Sequence, residues 1–343
     1  MDALSIGLLS LAAIMVLIAL RLPIGVALGG VTMFGFAYLT NWNVALGVIR
    51  ETPFVFSANW DLTAIPMFLL MGAITNNSGI SSSLFRAARL WFAALPGGLA
   101  VATNFACAGF AAACGSSIAA AAAMARLATP EMVRAGYDKG LATGVVASAG
   151  TLAALIPPSI LFVLYGIFAE VSIVELLIAG VFPGLLTAGI YAAMIMIRCV
   201  INPDLAPKIS DDELAEMKKE RWTALKDVWP LLVLILGIIG GLYGGVVTPT
   251  EGGAAGASLA LVIGILQKRM NLELFIESLR DAIGTTAQIF FVGMGAVMYT
   301  KFLAIIIFGL QARWFQNEEV QVYRVFWSHT DVYVHVVLVG VYA

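Results

Sequence analysis

The sequence carries very little charge. Lys, Arg, Asp and Glu make up 12% of its 343 residues, whereas soluble domains contain about 25% charged residues. Hydrophobic residues make up 61% and the mean hydropathy is +0.95. The formal net charge of −2 gives no reason to expect nucleic acid as a partner. The composition therefore excludes an ordinary soluble domain and predicts an all-α protein that spans the lipid bilayer several times.

Residues for metal binding, redox chemistry and catalysis are also scarce. The three cysteines, Cys107, Cys114 and Cys199, form no CxxC pair, and the two histidines, His329 and His335, have no ligand partners nearby in sequence. No HExxH, GxGxxG or Ser-His-Asp grouping occurs. We therefore expect no enzyme activity and no cofactor.

The first apolar segment has no basic residue before it. The first positive charge, Arg21, follows the segment, which argues for a retained span rather than a cleaved signal peptide. By the positive-inside rule, Arg21 is expected on the cytoplasmic side and the N-terminus outside.

Two uncharged runs are longer than the roughly 20 residues that a helix needs to cross a bilayer. They cover residues 90–125 and 140–169. The first is interrupted at Gly115-Ser116-Ser117 and the second at Pro157-Pro158. Proline is tolerated worst inside a helix, and irregular backbone at membrane depth needs protein or a watery cavity around it. Both runs are therefore predicted to be re-entrant hairpins or broken helices.

A broken helix exposes carbonyl groups at one stump and N–H groups at the other. The carbonyl end, together with Ser and Thr oxygens, suits Na⁺, and the N–H end suits a carboxylate. The candidate ion- and substrate-binding residues are Asn104, Gly115, Ser116, Ser117, Ser148, Thr151, Pro157, Pro158 and Ser159. Of these, Gly115, Ser116, Ser117, Thr151 and Ser159 are the predicted Na⁺ ligands. The alternative for each hydroxyl is a hydrogen bond back to its own helix.

Two short strings recur at nearly the same offset. "LPIGVALGG" resembles "TPTEGGAAGAS", with Pro23 and Pro249 lying 226 residues apart, and "MFLLMGAIT" resembles "FFVGMGAVM", with Met71 and Met294 lying 223 apart. Such duplication is typical of secondary transporters. At this offset, second copies of the Gly-Ser-Ser and Pro-Pro breaks fall at about residue 340 and beyond the last residue, so we predict an incomplete second repeat.

The predicted organisation has four parts. Residues 1–201 form the first repeat, and residues 202–229 form an amphipathic surface connector that starts with a capping box at Ser210 and Glu213. Residues 230–303 begin the second repeat. Residues 304–343 form a divergent or truncated tail, in which charged residues and both histidines are scattered.

The motifs "IPMFLLMGAI", "GSSIAAAAAMARLATPEMVRAGYDKGLATGVVASAGTLAALIPPSILFVLYG" and "GGVVTPTEGGAAGAS", taken in order, resemble the large membrane subunit of tripartite ATP-independent periplasmic (TRAP) transporters. The resemblance implies an inverted-repeat, elevator-type architecture in the bacterial inner membrane. It also implies Na⁺-coupled import of organic acids such as C4-dicarboxylates or sialic acid. The implied partners are a small membrane subunit and a periplasmic substrate-binding protein.

Carried over by residue, the resemblance makes 104–128 the first helical hairpin and Pro157-Pro158-Ser159 the break of the following helix. It makes Thr248-Pro249-Thr250-Glu251 the opening of the second repeat. The sequence departs from the family pattern at about Ala304, as a frameshifted, truncated or divergent chain would. Three alternatives remain: an anion or ion exchanger of related architecture that uses no binding protein, a truncated permease that does not transport, and a membrane enzyme, against which the missing catalytic residues argue.

Overall fold

The computed structural model of this chain describes residues 3–207 and 209–317, and all regular structure within those ranges is helical, as predicted. In chain order, the α-helices of the described residues are α1 (Ala3–Ala19), α2 (Ile24–Leu39), α3 (Trp42–Ser57), α4 (Ala64–Asn77), α5 (Ile80–Phe92), α6 (Gly98–Cys114), α7 (Ser117–Arg134), α8 (Lys139–Gly150), α9 (Ile160–Ala169), α10 (Ile173–Ile201), α11 (Asp211–Lys226), α12 (Trp229–Tyr243), α13 (Pro249–Leu266) and α14 (Leu272–Asn317). Short 3₁₀ turns occupy Trp60–Thr63, Thr151–Ala154 and Pro203–Leu205.

Several helices are built for a lipid environment. Among the described residues, three helices are long and apolar enough to cross a membrane, or up to five spans if two bent helix pairs each count as one. On α10, large apolar side chains such as Phe182, Leu185 and Ile197 are more than half exposed. Because a soluble protein would not cover a helix with such a surface, these faces are expected to contact lipid. The predicted multispanning membrane architecture is confirmed.

The chain divides into two compact units. One contains the residues up to Ser57 and those from Ile289 onward, and the other contains Ala58–Gln288. The boundary falls within α14. In the first unit, Phe302 of α14 packs edge-on against Phe36 of α2, and both rings are buried.

The core of the Ala58–Gln288 unit is centred on α6. Nearly every residue of α6 is buried, and the helix is enclosed by α5, α7, α8 and α10. Its sequence consists largely of Ala, Gly, Cys and Val, so neighbouring helices can approach closely on all sides. This explains why α6 can lie in the centre of the unit rather than on its surface.

The helices that contain the repeated sequence strings pack in two pairs, each of which joins a helix of one predicted repeat to a helix of the other. In the second unit, α13 lies so close to α4 that a Cβ at Gly253 would be 2.9 Å from Met67 Cβ. In the first unit, a Cβ at Gly25 of α2 would lie 2.6 Å from the Phe291 carbonyl oxygen of α14. The helix that opens each predicted repeat therefore packs against a helix of the other. The predicted domain boundaries themselves stay a prediction.

Charge is segregated within the Ala58–Gln288 unit. The turns before α4 and α10 and the first helical turns of α10 and α13 carry acidic side chains and no Lys or Arg. This side of the unit is here called the acidic end, and its residues are Asp61, Glu170, Glu175 and Glu251. All described Lys and Arg residues of this unit lie in the opposite half, and the helix ends that bound this half are here called the basic end. Contacts join the elements of this half: the Asp138 N–H donates to the Leu205 carbonyl at 3.0 Å between two turns, and Arg86 of α5 pairs with Glu220 of α11 at 3.2 Å.

The connector forms a helix at the basic end. Ser210 caps α11 by accepting a hydrogen bond from the Glu213 N–H at 3.3 Å, as the sequence predicted. The helix packs against α5, where Arg221 Nε donates to the Leu90 carbonyl at 2.8 Å and the rings of Trp91 and Trp222 meet edge-on. Its axis then bends by 44° into the apolar α12.

Two helices, α3 and α5, are not marked by apolar runs in the sequence. α3 carries Arg50, Glu51 and Pro53, and α5 is amphipathic, so neither reads as an uninterrupted apolar segment. Of the predicted tail, residues 304–317 continue α14, and residues 318–343, including His329 and His335, lie outside the described residues.

Candidate functional site

The predicted hairpin turns at Gly115 and Ser116. α6 ends at Cys114 and α7 begins at Ser117. Gly115 adopts the left-handed conformation (φ 62°) and its N–H donates to the Ala111 carbonyl at 3.0 Å, which is the usual glycine ending of a helix. Ser116 is extended, and its Oγ accepts from the Ala119 N–H at 3.4 Å, capping α7. A glycine stop followed at once by a serine start therefore reverses the chain.

The second predicted break is also present. α8 ends at Gly150, a 3₁₀ turn covers Thr151–Ala154, and α9 does not begin until Ile160. The Pro157–Pro158 peptide bond between them is cis. Neither proline has an N–H to donate, so a continuous helix cannot form across this segment. Residues 111–123 and 152–164 are thus both interrupted, as the sequence predicted.

The two breaks meet each other. The Ile160 N–H, at the start of α9, donates to the Gly115 carbonyl at 3.1 Å. A Cβ at Gly115 would lie only 2.6 Å from the Pro158 carbonyl oxygen, so the close fit depends on glycine. Gly115, Pro157, Pro158 and Ser159 are all buried here. The N-termini of α7 and α9 and the C-terminus of α6 therefore converge on one point.

This convergence brings unlike partial charges together. Helix N-termini present N–H groups with partial positive charge, and helix C-termini present carbonyl oxygens with partial negative charge. The junction around Gly115 can therefore favour a carboxylate on one side and a cation on the other without an ionised side chain. Among the described residues, no cluster of three or more His, Cys, Asp or Glu offers an ordinary metal site.

Three of the predicted hydroxyl ligands are bonded to nearby backbone. Ser148 donates to the Gly144 carbonyl at 2.9 Å, and Thr151 donates to the Ser148 carbonyl at 2.6 Å. Ser159 is fully buried and donates to the Ala154 carbonyl at 2.8 Å, which ties together the two sides of the break. A donating hydroxyl keeps its oxygen lone pairs, so these contacts are compatible with cation binding. The roles of Ser148, Thr151 and Ser159 as ligands stay predictions.

Asn104 lies away from this junction. It is eleven residues before Gly115 on the same helix, a distance of about 16 Å at 1.5 Å per residue. Its Nδ2 donates to the Ala188 carbonyl of α10 at 2.9 Å, and its buried Oδ1 has no partner. The structure gives Asn104 a role in joining α6 to α10, and its role in binding stays a prediction.

The opening of α13 follows the sequence expectation. Pro249 is the first helical residue, and Thr248 Oγ1 accepts from the Glu251 N–H at 3.3 Å while Glu251 Oε2 accepts from the Thr248 N–H at 2.8 Å. Thr250 Oγ1 lies 3.0 Å from Thr248 Oγ1. This reciprocal capping box accounts for Glu251 structurally.

The sequence did not predict a cavity that extends from the hairpin tip along α7. Ala119, Ala122 and Arg126 recur at helical spacing along α7 and line one cavity with Asp281 of α14. In the sequence, Arg126 is notable only as the charged residue that ends the uncharged run 90–125. Its spacing of seven residues from Ala119 was the available signal, since residues i, i+3 and i+7 share a helix face.

Comparison with known proteins gives a consistent picture. The family model described as "Tripartite ATP-independent periplasmic transporter, DctM component" matches residues 11–317. The chain is 37% identical over 248 residues to the C4-dicarboxylate TRAP transporter large permease protein DctM of Pseudomonas aeruginosa, covering 72% of this chain and 57% of the relative. It is 32% identical over 264 residues to the isethionate TRAP transporter permease protein DctMQ of Oleidesulfovibrio alaskensis, covering 77% and 41%.

A further relative is the sialic acid TRAP transporter large permease protein SiaM of Vibrio cholerae, 30% identical over 280 residues, covering 81% of this chain and 64% of the relative. The chain spans about half the length of the first two relatives. The names of these relatives describe transporter permeases, and the family match extends over most of this chain. The chain therefore belongs to the DctM family, the large permease subunits of TRAP transporters.

Proposed function

We propose that this chain is a Na⁺-coupled transporter subunit that imports organic acids across the bacterial inner membrane. C4-dicarboxylates and sialic acid, which appear in the names of relatives, are the substrate classes of this proposal. The single observation that carries it is the hydrogen bond between the Gly115 carbonyl and the Ile160 N–H, because it joins two broken helices at one junction.

In this mechanism Na⁺ binds carbonyl and hydroxyl oxygens around Gly115, Ser116, Ser117, Thr151 and Ser159. The carboxylate of the substrate lies beside it, against the N–H groups that begin α7 and α9. The ion offsets the negative charge of the substrate and fixes the broken ends, so each ligand stabilises the site for the other. Coupling of this kind needs no buried charged side chain.

The proposed partners are a small membrane subunit and a periplasmic substrate-binding protein. One relative carries the combined name DctMQ, which supports a partnership with a second membrane component. Dependence of uptake on a binding protein separates this proposal from an exchanger of related architecture, which would transport without one.

The segregated charges support an orientation. Cytoplasmic loops of membrane proteins carry an excess of Lys and Arg, so we place the basic end in the cytoplasm and the acidic end in the periplasm. The α6–α7 hairpin then enters the membrane from the cytoplasmic side. A cysteine placed at Ala135 should react with a membrane-impermeant thiol reagent only in inside-out vesicles, and one placed at Gly245 only in right-side-out vesicles. The reverse pattern would contradict the orientation.

The transport proposal is tested by replacing Ser116 and Ser117 together with alanine in the full chain, reconstituted with its partners. The Na⁺ concentration for half-maximal succinate or sialic acid uptake should rise several-fold. The matched control is Ser258→Ala, because Ser258 lies on exposed α13 surface and its hydroxyl only donates to the Ala254 carbonyl. An unchanged Na⁺ dependence in the double variant would count against the site.

A further inference from the structure

A cavity begins beside the hairpin tip. It has a volume of about 250 Å³ and lies between α4, α7 and α14 within the Ala58–Gln288 unit. Cys114, which directly precedes the tip, lines its inner end together with Ala119. Arg126 and Asp281 line its walls further along. The cavity therefore connects the neighbourhood of the junction with two charged side chains.

A second cavity continues the first toward the basic end. Its volume is about 470 Å³, and Asn76, Arg126 and Asp281 line both cavities. Ser82 and Leu274, at the basic-end starts of α5 and α14, line its outer part. The two cavities form one cleft, here called the Arg126 cleft. Its size is ample for a small organic acid.

Arg126 is the only Lys or Arg that lines either cavity, and no acidic group of the described residues pairs with it within 4.0 Å. Arg89, on the neighbouring α5, differs because it forms an ion pair with Glu131 at 3.3 Å. Asp281 and Glu277 line the opposite wall of the Arg126 cleft without reaching the guanidinium. A planar guanidinium with free N–H donors is suited to bind a carboxylate with two parallel hydrogen bonds.

The position of Arg126 along α7 suits its guanidinium to contact an anion that moves away from the hairpin tip. It lies nine residues after Ser117, or about 14 Å from the tip at 1.5 Å per residue. An anion that moves from the N-terminus of α7 toward the basic end therefore meets Arg126 on the way. Asp281 across the cleft offers the guanidinium a competing partner, which keeps the anion from being held tightly. Weak intermediate binding is what a permeation path requires.

We propose that Arg126 forms a second, transient binding site for the carboxylate of the transported organic acid, on the path between the hairpin tip and the basic end. This inference rests on the proposed transport function. It adds a specificity residue: Arg126 supplies the positive charge that attracts an organic anion into a cleft otherwise lined by the carboxylates of Glu277 and Asp281.

The first experiment measures the effect of the Arg126 charge on charged reagents that enter the cleft, and it does not require transport. Ala122 lines the cleft and is exposed, so Ala122→Cys provides a reporter in the full-length purified protein. Its rates of modification by an anionic and a cationic methanethiosulfonate reagent of similar size are compared, after subtraction of the background from the parent chain. A unit charge a few Å away changes the local concentration of a monovalent ion by about fivefold even in water.

Arg126→Gln should therefore lower the anionic-to-cationic rate ratio by about fivefold or more, and Arg126→Lys should preserve most of it. Arg134→Gln is the matched control, because Arg134 is an exposed arginine of the same helix that lines neither cavity. If the anionic-to-cationic rate ratio is the same in Arg126→Gln as in the protein that retains Arg126, the proposal is overturned.

The second experiment identifies the carboxylate. Succinate should slow modification of the cysteine at position 122, and Arg126→Gln should abolish this protection; failure of succinate to protect the Arg126 protein overturns the assignment. Na⁺-driven uptake by the same proteins, reconstituted with partners, separates the two proposals. If the anionic-to-cationic rate ratio depends on Arg126 but the protein takes up no substrate, the transport proposal is refuted and the second site is not. If uptake occurs but the rate ratio does not depend on Arg126, the second site is refuted and the transport proposal is not.

Discussion

Gly115→Ala tests the junction directly. A methyl group at Gly115 encounters two separate penalties. The first is the left-handed backbone, φ 62°, which costs a residue with a Cβ about 1–2 kcal/mol. The second is contact with backbone that cannot turn away, because the new Cβ would lie 2.6 Å from the Pro158 carbonyl oxygen.

Relief of that contact requires the hairpin tip to separate from the broken helix. Separation loses the hydrogen bond from the Ile160 N–H to the Gly115 carbonyl, which contributes about 0.5–1.5 kcal/mol. The backbone penalty and the lost hydrogen bond together predict that the free energy of unfolding falls by about 1.5–3.5 kcal/mol. Na⁺-dependent uptake should fall as well, since the same separation pulls the proposed carbonyl and N–H groups apart.

Gly245→Ala is the matched control. Gly245 has a similar backbone angle, φ 67°, but a Cβ there would meet no atom within 4 Å. It therefore carries the conformational penalty without the contact. The measurement is thermal unfolding of the purified full-length proteins in detergent, followed by tryptophan fluorescence. If Gly115→Ala lowers the unfolding midpoint no more than Gly245→Ala does, the tip does not depend on its contact with Pro158.

Three further predictions concern the helices around the site. Gly253→Ala should destabilise the protein, because its Cβ would lie 2.9 Å from a side-chain carbon of α4, whereas Gly240→Ala, with open space around it, should be neutral or stabilising in thermal unfolding. Thr248→Val should remove the cap of α13 at a cost of about 0.5–2 kcal/mol, seen as faster amide hydrogen exchange in its first turn only; uniform exchange across α13 would contradict this. Tyr137→Phe should cost about 1–3 kcal/mol, because it leaves the buried Leu99 N–H, now bonded to the Tyr137 hydroxyl at 3.1 Å, without an acceptor. Burial also raises the pKa of Tyr137 above its ordinary 10.0, so its contribution is complete below pH 10 and is lost as pH rises through the raised pKa; the alkaline loss of stability should be shallower in Tyr137→Phe.

Much of the fold and part of the site were predictable from local chemistry. Gly-Ser at 115–116 and Pro-Pro at 157–158 lie in runs too long and too apolar for simple spans, and both runs break there. The N-cap at Ser210 was also correctly placed, because a cap depends only on residues three apart. Each of these features depends on residues close together in the chain, so it can be predicted from a short stretch of sequence.

What the sequence could not provide was which groups meet. The hydrogen bond from Ile160 to Gly115 joins residues 45 positions apart, and nothing in either segment names its partner. Asn104 looked like a companion of Gly115 because both are polar or flexible positions in one apolar run, yet the rise of the helix carries it about 16 Å away. Arg126 and Asp281 line one cavity although they lie far apart in the sequence, so the sequence alone gives no reason to connect them.

The crosswise pairing of helices has a consequence for how the chain is made. Gly253 follows its contact Met67 by 186 residues, and Phe291 follows Gly25 by 266. The ribosome therefore delivers α4 and α2 to the insertion machinery long before their packing partners exist. Until those partners are made, α4 and α2 each lie in the membrane with the packing surface exposed. A nascent chain arrested before Pro249 therefore lacks the packing partner in both units, and membrane quality-control proteases should recognise it as incompletely folded.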